Sequence, residues 1–77
     1  MSKVRVGIVG TGGMAQGHIA RLHTIPDVEI TALCDIRPAA LERTLERHPH
    51  LKGVACFDDF GKMLMAGSLD AVEIVTP

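Results

Sequence analysis

Four short apolar runs are spaced along the chain, and the segments between them have helical periodicity. The first run, Val-Arg-Val-Gly-Ile-Val over Val4 to Val9, is largely apolar on both faces, as suits a central parallel strand covered on both sides. Ala15, Ile19 and Leu22 then recur at i, i+4 and i+7. They predict a helix over about Gly13 to Thr24 with that stripe buried and Gln16, Arg21 and His23 off it; Pro26 and Asp27 end it. Val28 to Asp35 reads as a second strand, with Val28, Ile30, Ala32 and Cys34 on one face. Pro38 suits the first turn of a second helix, where its missing N–H is not needed. Ala39 to Arg47 continues that helix with Leu41 and Leu45 facing inward, and His48-Pro49-His50 breaks it. Val54 to Phe57 predicts a third strand. Asp58 or Asp59 is placed to cap a third helix, with Phe60, Met63 and Leu64 as its apolar face and Gly67 at the C′ position. Gly61 weakens that helix by roughly 1 kcal/mol. Ala71 to Val75 predicts a fourth strand, and Thr76-Pro77 follow it.

The order β-α-β-α-β-α-β belongs to the α/β class. It implies a Rossmann-type parallel sheet with right-handed crossovers. The expected strand order is 3-2-1-4, with a ligand crevice between strands one and four. In this arrangement the fourth strand is an apolar, unprotected edge. Residues 1–77 are therefore expected to be the N-terminal part of an incomplete dinucleotide-binding domain, within a longer chain.

Composition narrows the function classes. Seventy-seven residues make one small domain, burying only roughly 60% of its unfolded surface. The net charge is −1 without a block of like charges, so neither nucleic acid nor an anionic membrane is an expected partner. Met1-Ser2-Lys3 leads directly into the first strand, with no signal-peptide core and no transmembrane run. The two cysteines, Cys34 and Cys56, lie in strand-like runs without Cys-x-x-Cys spacing. They read as buried free thiols in a reducing cytoplasm.

The candidate chemistry lies where the first run meets the first helix, in Gly10-x-Gly12-x-x-Ala15. Gly10 falls where the chain must turn sharply and positive φ costs little. Gly12 has no Cβ to keep the backbone from a pyrophosphate. Ala15 must be small because the helix packs closely on the strand. The N–H groups of Gly12, Gly13 and Met14 then leave the helix N-terminus free to bind an anion, assisted by the helix dipole. Asp35 ends the second strand about 20 positions after Ala15, where the dinucleotide fingerprint places its ribose-binding acid. A carboxylate there accepts hydrogen bonds from both adenosine ribose hydroxyls and repels a 2′-phosphate, which favours NAD over NADP. Arg37 bears on that choice in either direction: it can flank the adenine, reach a 2′-phosphate, or stand in solvent before the second helix. His18 is a full turn past the phosphate site and reads as a capping or packing residue. His48 and His50 read as a solvated turn rather than a metal fragment, and Asp58-Asp59 as a helix start. Thr76 and Pro77 lie opposite the glycine turn, where their backbone would line the crevice. No nucleophile–base pair, proton donor or metal site is evident, so no catalytic residue is assigned.

Taken together, the glycine turn with His18, Val-Glu-Ile-Thr-Ala-Leu-Cys-Asp, Phe57-Asp58-Asp59-Phe60 and the run from Leu69 to Pro77 resemble the N-terminal part of the Gfo/Idh/MocA oxidoreductases. That family includes glucose–fructose oxidoreductase and inositol 2-dehydrogenase. The resemblance implies a two-domain, often oligomeric enzyme that transfers hydride between NAD or NADP and a sugar or cyclitol hydroxyl. By position, Gly10, Thr11, Gly12, Gly13 and Met14 would hold the pyrophosphate. Asp35 and Arg37 would face the adenosine ribose, and Thr76 and Pro77 would pass near the nicotinamide-side ribose. The family's Glu-Lys-Pro motif and the acid and histidine of its substrate domain have no counterpart in these residues. The chain alone is thus expected to bind a cofactor without catalysing the reaction. Two rival readings follow from the same residues: a non-catalytic nucleotide-binding module or sensor, and an S-adenosylmethionine-dependent methyltransferase, whose glycine spacing is usually looser.

Overall fold

The computed structural model describes residues 3–75. Strand β1 (Val4–Val9) leads to helix α1 (Gly13–His23), strand β2 (Val28–Cys34) and helix α2 (Pro38–Arg47). A 3-10 turn (Pro49–Leu51), strand β3 (Ala55–Phe57), helix α3 (Phe60–Met65) and strand β4 (Ala71–Ile74) complete the order. The strands form one four-stranded sheet in the order β3-β2-β1-β4, and all neighbours are parallel, as the alternation of elements predicts. Asp70 ties β4 to its neighbour: its carboxylate accepts from the Arg5 N–H at 2.9 Å, and its own N–H donates to the Arg5 carbonyl at 2.8 Å. Thr76 and Pro77 lie outside the described residues.

The sheet has a core on each face. On one side Val6, Ile8, Leu33, Ala15, Ile19 and Leu51 are buried together, with Val28, Ile30, Leu22, Leu41 and Leu45 packed against them. On the other, Ala32, Cys34 and Met63 are buried beside Val9, Phe57, Leu69 and Val72. This corrects the expectation that Val28, Ile30, Ala32 and Cys34 share one face. Val6 pairs with Ile30 but Gly7 pairs with Ala32, so Thr31 is an extra residue in β2. Side chains alternate along a strand, and one unmatched residue reverses the alternation. Val28 and Ile30 consequently face α1 and α2, whereas Ala32 and Cys34 face α3. Leu33 returns to the α1 side, and Asp35, two residues on, shares its face.

Three further expectations are corrected by packing. Cys34 is buried but Cys56 is exposed, because β3 is an edge strand only three residues long. Phe60 and Leu64 are exposed, and Met63 alone of the predicted apolar face is fully buried; a six-residue helix turns only one residue fully onto the sheet. His48 is buried rather than solvated, and so is Gln16; His48 approaches Gln16 Oε1 to 2.8 Å through Nε2. The predicted caps do form. Asp59 Oδ1 accepts from the Lys62 N–H at 3.0 Å, and Gly67 follows α3 with φ +73.

Gly7, in the middle of β1, brings α3 onto the sheet. A Cβ there would lie 2.8 Å from Leu69 Cδ1 and 3.2 Å from both Met63 Cε and Sδ. Rotation of these flexible side chains can relieve the contact with a single methyl group but not with a branched side chain. Gly7→Val is expected to lower unfolding stability by about 1–3 kcal/mol, with Gly7→Ala the milder change. Urea denaturation of the two variants checks this order.

Candidate functional site

The C-terminal ends of the strands open onto a groove of about 700 Å3, within the usual size range of small-ligand sites. It is lined by Gly10, Gly12, Gly13 and Met14 on one side and by Asp35, Ile36 and Arg37 on another, with Asp58, Asp59, Phe60 and Val75 around them. The turn has the predicted form. Gly10 has φ +91, a conformation that L side chains adopt only under strain. Ala15 is fully buried where α1 meets the sheet. Gly12 occupies the N-cap position, no side chain caps α1, and its first turn holds no acidic residue. Helix N-termini leave N–H groups without intrahelical partners; here the Ala15 N–H bonds the Gly12 carbonyl at 3.1 Å, and Gly12, Gly13 and Met14 line the groove. A Cβ at Gly12 would have only Arg37 Nη2 near it, at 3.6 Å, and one at Gly13 would meet nothing within 4 Å.

Asp35 joins this turn to the start of α2. It is 7% exposed, so its charge needs partners. Its Oδ2 accepts from the Thr11 N–H and hydroxyl, both at 2.9 Å, and from Arg37 Nη2 at 3.3 Å. Its Oδ1 accepts from the Arg37 N–H at 2.8 Å and from Arg37 Nε at 3.2 Å. Burial by itself raises the carboxyl pKa, but the bonds from Arg37 and Thr11 outweigh it and hold Asp35 well below the usual carboxylate range. The hydrogen bond and charge of Asp35 raise the Arg37 guanidinium in turn. Thr11 is itself buried and spends both donors on Asp35, so it braces the turn from behind. The Arg37 side chain is 59% exposed, lines the groove and lies near both Asp35 and Gly12.

The sequence-predicted residues Gly10, Gly12, Gly13, Met14, Asp35 and Arg37 therefore line one groove. Thr11 stands behind it, and Thr76 and Pro77 lie outside the described residues. His18 is turned away, pairing through Nδ1 with Glu73 Oε1 of β4. Sequence reasoning missed Gln16, Thr44 and His48, which sit behind the glycine turn. The spacing of Ala40, Thr44 and His48 at i, i+4 and i+8 was the available signal: all three are buried, a small and polar stripe beside the apolar one. Among the described residues no group of three His, Cys, Asp or Glu side chains could hold a metal, and no helix is long and apolar enough to cross a membrane.

Comparison with known proteins gives a consistent result. A family model described as an oxidoreductase family with an NAD-binding Rossmann fold matches residues 4–77. Inositol 2-dehydrogenase of Pseudarthrobacter chlorophenolicus is 35% identical over 75 residues, which is 96% of this chain and 21% of the relative. A glycosyl hydrolase family 109 protein of Streptomyces coelicolor is 33% identical over 81 residues, 96% of this chain and 17% of the relative. The crystal structure of the WlbA dehydrogenase from Chromobacterium violaceum, in complex with NADH and UDP-GlcNAcA, matches with a TM-score of 0.85 at 32% identity. That match covers 100% of this chain and 21% of WlbA. The chain spans between 10% and 23% of the length of the curated relatives it matches.

The Asp35 clamp has a definite pH signature. Its folded pKa lies below the unfolded value of about 3.9, so its stabilisation is complete above about pH 4 and is lost as pH falls through the folded value. Asp35→Asn is expected to lower stability at neutral pH by about 1.5–3 kcal/mol and to flatten the loss of stability below pH 4. Unfolding midpoints measured from pH 7 to pH 2 check both effects.

Proposed function

The chain belongs to the Gfo/Idh/MocA oxidoreductase family, which has an NAD-binding Rossmann fold, and from that premise we propose that its groove seats the adenosine diphosphate half of a nicotinamide dinucleotide. The observation that carries this reading is the uncapped N-terminus of α1 opening onto the same groove as Asp35. The N–H groups of Gly12, Gly13 and Met14 and the helix dipole bind the diphosphate. Gly10 makes the turn, and Thr11 braces it through Asp35. Asp35 receives the ribose hydroxyls, which take over positions that the Arg37 guanidinium holds on its carboxylate. Arg37, displaced from Asp35, remains beside Gly12 as positive charge near the diphosphate or the adenine.

In this reading residues 1–77 are the N-terminal part of the dinucleotide-binding domain, and the substrate domain is not among them. The nicotinamide, when bound, supplies hydride chemistry; this chain's own residues bind, orient and neutralise. The intact protein is an NAD-dependent dehydrogenase of a sugar or cyclitol, working as a cytoplasmic homo-oligomer. Inositol 2-dehydrogenase among the relatives supports that substrate class. The family 109 glycosyl hydrolases support a second reading, in which the same cofactor seat serves cleavage of a glycoside. Incubation of the native protein with NAD and a panel of polyols and aryl glycosides separates them: NADH accumulates in the first case, and the aryl alcohol is released without net NADH in the second.

Cofactor binding has its own test by calorimetry. Losing the charge-assisted bonds of Asp35 is expected to weaken NAD about tenfold to hundredfold in Asp35→Ala and NADP far less, because the variant also removes repulsion of the 2′-phosphate. Equal losses for both cofactors would remove Asp35 from the ribose site. Affinity for S-adenosylmethionine with none for NAD would overturn the dinucleotide reading.

A further inference from the structure

Gln16 lies on the inward side of α1 and is 9% exposed, yet it makes no part of the groove wall. Its Nε2 donates to the Thr11 carbonyl at 3.1 Å and the Gly12 carbonyl at 3.2 Å, and lies 3.0 Å from Thr44 Oγ1. The Thr44 hydroxyl in turn donates to the Ala40 carbonyl at 2.9 Å, so its oxygen accepts, and the two Nε2 hydrogens are shared among three acceptors. Carbonyls only accept, so the amide nitrogen must face the turn and Oε1 must face His48. His48 Nε2, 2.8 Å from Oε1, therefore carries its proton. Burial, with added repulsion from His50, Arg47 and His23, holds His48 below the ordinary imidazole pKa, consistent with a neutral ring in that tautomer.

A trans peptide directs its N–H opposite to its C=O. Drawing the Thr11 and Gly12 carbonyls inward thus turns the N–H groups of Gly12 and Gly13 outward, and both glycines line the groove. We propose that Gln16, held in place by His48 and Thr44, is the positioning residue of the phosphate seat. It fixes two peptide planes of the glycine turn so that their N–H groups face the diphosphate before it arrives. This inference rests on the reading of the groove as a nucleotide site and assigns the seat's rigidity to one buried amide. The Gly12 carbonyl also accepts from the Ala15 N–H at 3.1 Å, so Gln16 is a second donor there, whereas the Thr11 carbonyl is met by side chains, Gln16 Nε2 and, at 3.4 Å, the Thr44 hydroxyl.

Calorimetry with ADP and with adenosine tests the role on the protein that carries this sequence. Gln16→Met keeps the length and bulk of the side chain but removes the donors. It is expected to weaken ADP about tenfold, the scale of two ordinary hydrogen bonds, and to change adenosine less than twofold. His48→Leu leaves Gln16 in place but unsupported; it is expected to weaken ADP about threefold with adenosine again unchanged, and it reads the same role if Gln16→Met does not fold. Equal losses for ADP and adenosine, or no loss for either, would overturn the positioning role. A parent protein that binds neither ADP nor NAD would instead overturn the nucleotide reading and this inference with it.

Discussion

A buried carboxylate at the end of the second strand governs the geometry of the whole site. An unpaired charge in that position would be costly, so the surrounding chain must deliver donors to it. Thr11 supplies two from the β1–α1 turn, and Arg37 supplies three from the β2–α2 turn. Two loops far apart in sequence are thereby held in one arrangement by the same pair of oxygens. The glycine turn is shaped by the positive φ of Gly10 and braced by the bonds from Thr11 to Asp35.

That clamp depends in turn on a feature of the sheet. The Val6/Gly7 register shift adds Thr31 to β2 and reverses the facing of everything after it. With strict alternation from Val28, position 35 would point to the α3 side, away from Thr11. The extra residue places Asp35 on the side of α1 while Ala32 and Cys34, both small, turn toward Met63 and Gly7. The same shift thus aims the carboxylate and leaves room for close packing of α3. Thr31 carries the cost, since its hydroxyl is buried without a partner among the described residues.

Much of this was legible in the sequence because it follows from backbone demands that only certain residues meet. A glycine with positive φ, a small residue at the helix–sheet contact and an acid ending the next strand are local requirements with visible spacing. Parallel pairing and the order 3-2-1-4 follow from the alternation of elements. The bulge was not legible: Val-Glu-Ile-Thr-Ala-Leu-Cys carries apolar or small side chains at enough positions to satisfy either register, and pairing with β1 decides between them. Gln16 and His48 were hidden for a different reason. A polar residue off an apolar stripe reads as solvated unless its partner is known, and their partners are backbone carbonyls 4–5 residues away and a side chain 32 residues away. Cys56 was misread because burial of a strand depends on whether another element covers it, and an alternating pattern is the same on an edge.

The proposed occupant of the groove explains why Arg37 is paired and exposed at once. A buried carboxylate without a protein partner would carry its full desolvation cost. Arg37 satisfies Asp35, and on the proposed reading its mostly exposed side chain regains water when a ribose takes its place. Exchange of one set of hydrogen bonds for another then costs less than forming a bare carboxylate site would. The exchange is also selective. A pair of hydroxyls can replace the guanidinium as donors to Asp35, whereas a 2′-phosphate brings negative charge to an acid that its partners hold ionised, with Asp58 and Asp59 lining the same groove. Among the described groove-lining residues Arg37 is the one cation, and it would offset that repulsion only by leaving Asp35. On the proposed reading, cofactor preference is decided by the competition between Asp35 and the nucleotide for one guanidinium, rather than by the glycine turn, which would meet the same diphosphate in either cofactor.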